Sequence, residues 1–364
     1  MKITQLVKYA FVLLLVLLLA YLLLISARIL LVLLIAIIVA SAIRPIVLAI
    51  SDRGIPLGLS ILVVYVVLAI SVALLSIVVL PPIVNQITQY IENDSRLAFH
   101  IIRAQRITEN LIADVTNSEV SIVEPERIRE AVSDFVGQIR RTIPSVLDDI
   151  SATMGEAVLI VVMGAYWLSS HKRATAFMTG LAPIQQRTRA IEIIEQMENT
   201  MGSYVRGVVT VALIVGLLNF VVMLVLSVPN AITLAIIIGI TSTIPMIGGL
   251  VGIGLAALVT LVAAPQYLPG VLAISLIIQQ LEAYYLSPRV MADRVGIDPL
   301  LVIVYTAIGF VIFGIVGALV AVPIMSAVHI LIMNIIIEPY KDSMQHVEME
   351  DGLPLITAEQ ELET

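Results

Sequence analysis

The stretch of the chain from Gly207 to Leu281 contains no Asp, Glu, Lys or Arg. A soluble domain carries charge throughout its length, because about a quarter of its residues are charged. Here charged residues make up 13% of the whole chain and hydrophobic residues make up 60%. A lipid bilayer stabilises such a composition, and helices satisfy their own backbone groups there. The sequence therefore predicts an all-α integral membrane protein.

Apolar runs set the predicted organisation, since a spanning helix needs about 20 mainly apolar residues. We predict about eight membrane segments. Six are ordinary spans, and Pro81-Pro82 is expected to end the third of them. These spans lie at 8–26, 28–50, 56–80, 151–169, 204–227 and 268–287. The other two, at 231–263 and 299–337, are longer than one span requires.

By composition the chain divides into five parts. Three N-terminal spans occupy 1–82. Residues 83–150 are rich in charge and carry two amphipathic stripes, which indicate an extramembrane helical hairpin broken at Asn117 and Pro125. A fourth span and a polar cytoplasmic linker helix fill 151–203. A C-terminal membrane core at 204–340 and an acidic cytoplasmic tail at 341–364 complete the chain.

Both long segments are interrupted by residues that break helices. The interruptions are Thr241–Gly249 in the first segment and Phe313–Gly317 in the second. If Lys2 lies in the cytoplasm, single crossings would put Arg289 and Arg294 outside, against the positive-inside rule. We therefore predict two interrupted or re-entrant helical hairpins, with the N- and C-termini both cytoplasmic in a cell (inner) membrane.

Paired interrupted segments are the best sequence indication of a transport site. Backbone groups freed by proline or glycine cost several kcal/mol in hydrocarbon unless they line a cavity or find partners. The alternative reading is close helix packing, which Gly248 and Gly252 permit by their spacing. The predicted pathway and hinge residues are Thr241, Ser242, Thr243, Pro245, Gly248, Gly249, Pro288, Pro299, Gly314, Gly317 and Pro323.

Ionisable and strongly polar groups within the core segments are few, and such groups are usually functional. Glu282 is the predicted carrier of a proton or cation, and Arg206 is expected to neutralise it or to hold an anionic group. The alternative is a set of buried salt bridges and helix caps, such as Glu282 with Arg289. The other candidate coupling residues are Asn219, Gln279, Gln280 and Asp298.

Several function classes are disfavoured. The absence of cysteine removes thiol nucleophiles, disulfides and cysteine metal sites, and the four histidines are scattered. The glycine-rich run Gly248–Gly254 lacks the Lys-Ser/Thr end of a phosphate-binding loop. A net charge of −7 argues against nucleic-acid binding. We predict no enzyme activity, no cofactor and no metal.

Short motifs along nearly the whole chain resemble those of the autoinducer-2 exporter family of bacterial and archaeal membrane proteins. The C-terminal matches are the most specific: Gln280-Leu281-Glu282, Pro288-Arg289-Val290, Asp298-Pro299-Leu300, Phe313–Gly317 and Ala321-Val322-Pro323. Further matches are Val228–Ala231, Ile244–Gly249, Tyr204–Gly207, Arg44-Pro45 and Pro81-Pro82. Two positions depart from the family pattern: Asp298 replaces a histidine and Ala283 replaces an asparagine.

The resemblance implies a secondary transporter that exports autoinducer-2 or another small solute, and it also implies homo-oligomeric assembly. Some members resemble sodium(lithium)/proton antiporters, which is the first alternative function for this chain. The second alternative is a membrane scaffold that acts through the helices of 83–150. The expected partners are the bilayer and a small-molecule or monovalent-cation substrate.

Overall fold

A computed structural model describes residues 3–91, 99, 102–103, 106, 124–245, 247–287 and 299–337 of the chain. Within these ranges the regular elements are all helices, which confirms the predicted all-α class. The helices are α1 (Ile3–Ile25), α2 (Ala27–Ser51), α3 (Leu57–Ile91), α4 (Pro125–Gly180), α5 (Arg187–Val225), α6 (Ala231–Thr241), α7 (Gly248–Ala263), α8 (Leu268–Leu281) and α9 (Pro299–Ile332). Short π-helical turns extend α8 over Glu282–Leu286 and α9 over Met333–Ile337.

Four stretches among the described residues are long and apolar enough to cross a membrane. They are Ala27–Ser51, Leu57–Leu74, Ile184–Val225 and Leu300–Ile335. Most of their side chains make no helix contact and are exposed, as the side chains of a lipid-facing surface are. Helix length and composition thus agree with an integral membrane protein.

Helix boundaries differ from the sequence prediction in three places. Helix α3 continues through Pro81 and Pro82 to Ile91, so this pair does not end the helix, and the predicted end of the third span there stays a prediction. A proline deletes one N–H donor, but a membrane helix tolerates the loss when neighbouring groups serve the freed carbonyl. The fourth span shares α4 with part of the predicted extramembrane hairpin, and the polar linker helix shares α5 with the fifth span. The first half of that hairpin lies mostly outside the described residues.

Helices α2, α3 and α4 form one packed group. Tyr65 of α3 and Leu168 of α4 belong to a buried apolar cluster with Ala40 and Val47 of α2. Gly164 of α4 makes this crossing close, because a Cβ there would overlap the Tyr65 hydroxyl. Small residues at such positions let membrane helices approach each other.

Residues 231–263 fold back on themselves as a helical hairpin, called hairpin I below, as predicted. Helix α6 ends at Thr241 and α7 begins at Gly248, where a Cβ would overlap the Thr241 carbonyl. One turn further along α7, a Cβ on Gly252 would lie 2.9 Å from the Ile238 Cα. Helices α6 and α7 are 11 and 16 residues long. Each is shorter than the roughly 20 residues of a full span.

Residues 299–337 form a second helical hairpin, called hairpin II. The helix breaks at Phe313 and Gly314, and Gly314 adopts φ 62°, a conformation that favours glycine. A Cβ on Gly309 would lie 2.4 Å from the Gly317 carbonyl oxygen. Residues eight apart are about 12 Å apart in a continuous helix, so this contact requires the two arms to turn back. The structure confirms the predicted fold-back of this segment.

The two hairpins approach the middle of α5 from opposite ends. Helix α6 of hairpin I leaves the C-terminal end of α5 and packs back along it, with Gly239 against Ala212 and Gly216. The second arm of hairpin II packs from the N-terminal end, where the Asn334 carbonyl accepts a hydrogen bond from Arg189. Further along, Ala327 packs with Met201 of α5 and Ile38 of α2, and Gly314, 13 residues earlier in the chain, lies about 20 Å beyond Ala327. Both tips therefore lie near mid-α5.

Candidate functional site

The carboxylate of Glu282 lies at the junction of α8 and its π-helical turn. Glu282 is 8% exposed, and its Oε2 atom has no hydrogen-bond partner among the described residues. The side-chain amide of Gln279 hydrogen-bonds the carboxylate. The Gln279 Oε1 atom is buried and has no partner in the described parts of the chain. Single π turns inside helices are common at functional sites.

Burial of this carboxylate has a chemical consequence. An ionised carboxylate removed from water loses far more solvation energy than one hydrogen bond returns. Such a group in a membrane segment therefore requires a proton or a cation, and it usually marks an ion or solute pathway. Two oxygens have no partner among the described residues: Glu282 Oε2 and Gln279 Oε1. Both are hard ligands of the kind that bind a proton or a small cation.

The tip of hairpin I packs against the side-chain amide of Gln279. A Cβ on Gly249, at the start of α7, would overlap the Gln279 side-chain amide. The same tip carries Ser242, whose buried hydroxyl has no hydrogen-bond partner within the described ranges. Thr241 and Thr243 instead donate their hydroxyls to carbonyls of their own helix. Hairpin I thus packs Gly249 against Gln279, three residues before Glu282, and its tip also carries the Ser242 hydroxyl.

Alanine in place of Gly249 is expected to lower transport strongly with little change in folding stability. The added methyl would displace the Gln279 amide, a flexible group, and a misplacement of about 1 Å at a reacting site can cost 100-fold in rate. We expect solute flux to fall about tenfold or more. Flux into proteoliposomes measures the change.

Gly254→Ala is the matched control, because a Cβ on Gly254 meets no atom within 4 Å on the same helix. Alanine also has the higher helix propensity, so neither substitution should reduce the free energy of unfolding by more than about 1 kcal/mol. Equal flux in both variants would show that Gln279 needs no fixed position.

Asn219 and Ser275 connect α5 and α8 in the interior. Asn219 is 0% exposed, donates to the Val215 carbonyl and accepts a hydrogen bond from Ser275 Oγ at 2.9 Å. Ser275, Gln279 and Glu282 follow one another at helical spacing and lie on one face of α8. Gln280 points to the exposed face instead. The Asn219 side-chain amide thus links α5 to α8 at Ser275, the first residue of this face.

Arg206 faces α2. Its Nη1 donates to the carbonyls of Ser41 and Ala42, at 3.3 and 3.2 Å. Pro45 lies four residues after Ser41 and has no N–H, so the Ser41 carbonyl lacks its helical donor. A Cβ on Gly202 would lie 2.5 Å from that carbonyl oxygen, so glycine also permits the approach. This Arg206 contact repairs the proline-disrupted turn of α2; the transport role predicted for Arg206 stays a prediction.

A double-mutant cycle tests this repair. Arg206→Met should lower the free energy of unfolding by about 1–3 kcal/mol, because a buried carbonyl loses its donor. In a Pro45→Ala background the restored N–H can serve Ser41, so we expect the same substitution to cost about 1 kcal/mol less. Unfolding of the purified protein in mixed micelles measures both. Equal costs in the two backgrounds would contradict the account.

The remaining predicted residues are distributed as follows. Pro245 and Gly248 form the tip of hairpin I, and Gly314 and Gly317 form the turn and neck of hairpin II. Pro299 begins α9, and the described structure buries Pro323 in its second arm. Pro288 and Asp298 lie outside the described residues. Among the described residues, no group of three His, Asp or Glu side chains could hold a metal ion.

A buried polar cluster that the sequence reasoning missed joins three helices. Glu198 of α5 is 4% exposed and accepts hydrogen bonds from Arg44 of α2 and Trp167 of α4, both at 3.1 Å. His171 of α4 lies 2.7 Å from the same carboxylate and edge-on to Trp167. The available signal was the spacing of Trp167 and His171, four residues apart on one helix face. We call these four residues the Glu198 cluster.

The similarity of this chain to known proteins extends over the whole membrane core. The family model described as "AI-2E family transporter" matches residues 11–337. This range covers both hairpins, α5 and Glu282. The chain belongs to the AI-2E transporter family. It is therefore a multi-helix membrane transporter, which agrees with the predicted resemblance.

Three bacterial relatives have the same general description. The chain is 26% identical over 80% of both chains to "Putative transport protein YueF" of Bacillus subtilis. It is 25% identical to "Putative transport protein YrrI" of the same organism, covering 80% of this chain and 82% of the relative. "Putative transport protein MT0215" of Mycobacterium tuberculosis is 31% identical over 48% of each chain. These AI-2E family names state transport without a substrate.

Proposed function

We propose that this transporter is an ion-coupled exporter of a small solute of the autoinducer-2 type, and that Glu282 carries the proton or monovalent cation. The observation that carries the proposal is the buried Glu282 carboxylate, with one oxygen unpartnered among the described residues, beside the tip of hairpin I. A site of this kind carries a cation across the membrane only if it is open first to one side and then to the other.

The opposed hairpins supply a means of alternate access in this proposal. Hairpin I packs against the Gln279 amide beside the site, and hairpin II packs against α2 and the N-terminal half of α5. In this proposal each hairpin closes the site toward one side of the membrane. The close Gly309–Gly317 contact joins the two arms beside the turn, which supports movement of hairpin II as one unit. Displacing one hairpin at a time would open the Glu282 region to one side only.

Sodium(lithium)/proton antiport is the second candidate function. It is favoured by the oxygens without partners in the described structure, Glu282 Oε2, Gln279 Oε1 and Ser242 Oγ. Carboxylate, amide and hydroxyl oxygens suit a small hard cation, and one carboxylate can exchange such a cation for a proton. In this case no organic solute would be needed for proton movement.

A flux assay on the purified full chain in liposomes separates the two functions. Autoinducer-2 and radioactive sodium are offered separately, with and without a proton gradient. Exporter function predicts gradient-dependent autoinducer-2 flux, and antiport predicts sodium-dependent proton movement without any solute. Movement of neither substrate above protein-free liposomes would contradict both assignments.

Assembly and orientation form part of the proposal. We expect a homo-oligomer in the cell membrane with both termini cytoplasmic. The described side chains of α1 are mostly exposed apolar residues, which offers surface for lipid or for a second copy. Cross-linking of the full chain in lipid nanodiscs would show the subunit number, and a single species of monomer mass would contradict the assembly.

A further inference from the structure

An apolar cavity of about 390 Å³ lies between α2 and hairpin II, away from Glu282. Its α2 wall is formed by Ala27, Leu30, Leu31 and Leu34. Both arms of hairpin II form the other wall, which includes Gly309 and Gly317. An enclosed cavity of about 150 Å³ with an apolar lining already binds benzene. The larger volume here has room for a hydrocarbon chain.

The cavity opens toward the lipid-facing surface. Leu30 and Leu34 are 38% and 39% exposed, and Ile308 and Ile312 on the opposite wall are 52% and 61% exposed. In hydrocarbon these side chains face lipid tails. The apolar lining gives water no hydrogen-bond partners, so a water-filled cavity is unfavourable.

A cationic side chain is adjacent in sequence to the cavity lining. Arg28 directly follows the lining residue Ala27, and its side chain is 76% exposed. Its Nε donates to Glu156 at 2.5 Å. Within the described structure the two terminal guanidinium nitrogens donate no hydrogen bond. A guanidinium presents its donors as a fork that matches phosphate geometry.

The arginine and the apolar cavity match the two parts of a phospholipid, its phosphate and its acyl chain. The lining positions on α2 run from Ala27 to Leu34, about 10 Å along the helix axis from the Arg28 end. A phosphate at Arg28 would therefore place an acyl chain along this stripe. We propose that a phospholipid binds here, with its phosphate on Arg28 and one acyl chain between α2 and hairpin II.

The position of the chain gives the lipid a structural role. It would contact Gly309 and Gly317, the two residues where the arms of hairpin II meet. A bound chain fills the gap beside this neck and holds hairpin II against α2. Lipid binding itself does not depend on the identity of the transported solute.

Native mass spectrometry of the full chain in detergent tests the proposal. The probes are phosphatidylglycerol and the diacylglycerol with the same acyl chains. We expect phosphatidylglycerol to bind about tenfold more tightly, the effect of a charge-assisted hydrogen bond. Arg28→Ala should remove this difference, and Glu156→Gln, which leaves the guanidinium in place, should keep it.

Leu34→Trp fills the cavity and should abolish retention of both probes. Leu33→Trp is its matched control, because Leu33 is 36% exposed on α2 but does not line the cavity. If Leu34→Trp does not give a monodisperse protein, Leu31→Phe takes its place. Equal retention in the cavity variant and in Leu33→Trp would overturn the site. Equal affinity of the wild type for the two probes would overturn the phosphate contact.

Discussion

Glutamine in place of Glu282 should reduce ion-coupled transport at least 100-fold while the protein remains folded. The substitution keeps the size of the side chain and its hydrogen bond with Gln279, but it cannot take up a proton or balance a cation. Because the carboxylate is 8% exposed, water cannot replace it as the charged group. Flux under an imposed proton gradient in proteoliposomes measures the loss.

Glu156→Gln is the matched control for this experiment. Glu156 is also an acidic residue of a membrane segment, but its side chain is 30% exposed and pairs with Arg28. We expect less than a twofold change in flux, since exposed ion pairs contribute about 1 kcal/mol or less. Retained ion-coupled flux in Glu282→Gln would remove Glu282 from the coupling mechanism.

The second large effect is expected at the Glu198 cluster and concerns stability. Glu198→Ala leaves Arg44 without its carboxylate and removes the acceptor of Trp167 and His171. Breaking a buried ion pair by removing one partner costs about 3–5 kcal/mol, and we expect the lower end because the Arg44 side chain is 29% exposed. Denaturant unfolding in mixed micelles measures the change.

Trp167 gives this prediction a local readout. It is the one tryptophan of the chain, and its Nε1 donates to Glu198. The fluorescence emission of the native state should therefore shift in Glu198→Ala. The control Glu195→Ala, at an exposed position three residues earlier on α5, should change neither stability nor emission. Equal stability of the two variants would show that the cluster does not hold α2, α4 and α5 together.

Much of the fold follows from local sequence features. Apolar run lengths predict the helices, and the clustered breakers around Pro245 and Gly314 predict both hairpins, because proline removes a backbone donor and glycine permits a positive φ. The continuation of α3 through Pro81 could not be predicted from these rules. A neighbouring group decides whether a helix survives a proline, and the sequence does not state which groups become neighbours.

In the candidate site, too, local sequence predicts some features and not others. Glu282 and Gln279 stand out as polar residues in an apolar segment, and the structure brings Gly249 against Gln279. Arg206 has the same sequence signal, yet its described hydrogen bonds go to α2, because the proline there frees a carbonyl. The Glu198 cluster combines contacts across 27, 31 and 154 residues, the last between Arg44 and Glu198. No local pattern contains such a pairing.

The central claim is that the Glu282 region at the tip of hairpin I opens to each side of the membrane in turn. The chain has no native cysteine, so Ser242→Cys places a single thiol at the buried, unpartnered hydroxyl of that tip. Labelling with a membrane-impermeant maleimide in liposomes of uniform orientation measures its accessibility. We predict labelling from either side, with the reactive side reversed when the proton gradient is reversed. A thiol that reacts from one fixed side, or from neither, under both gradients would contradict the account.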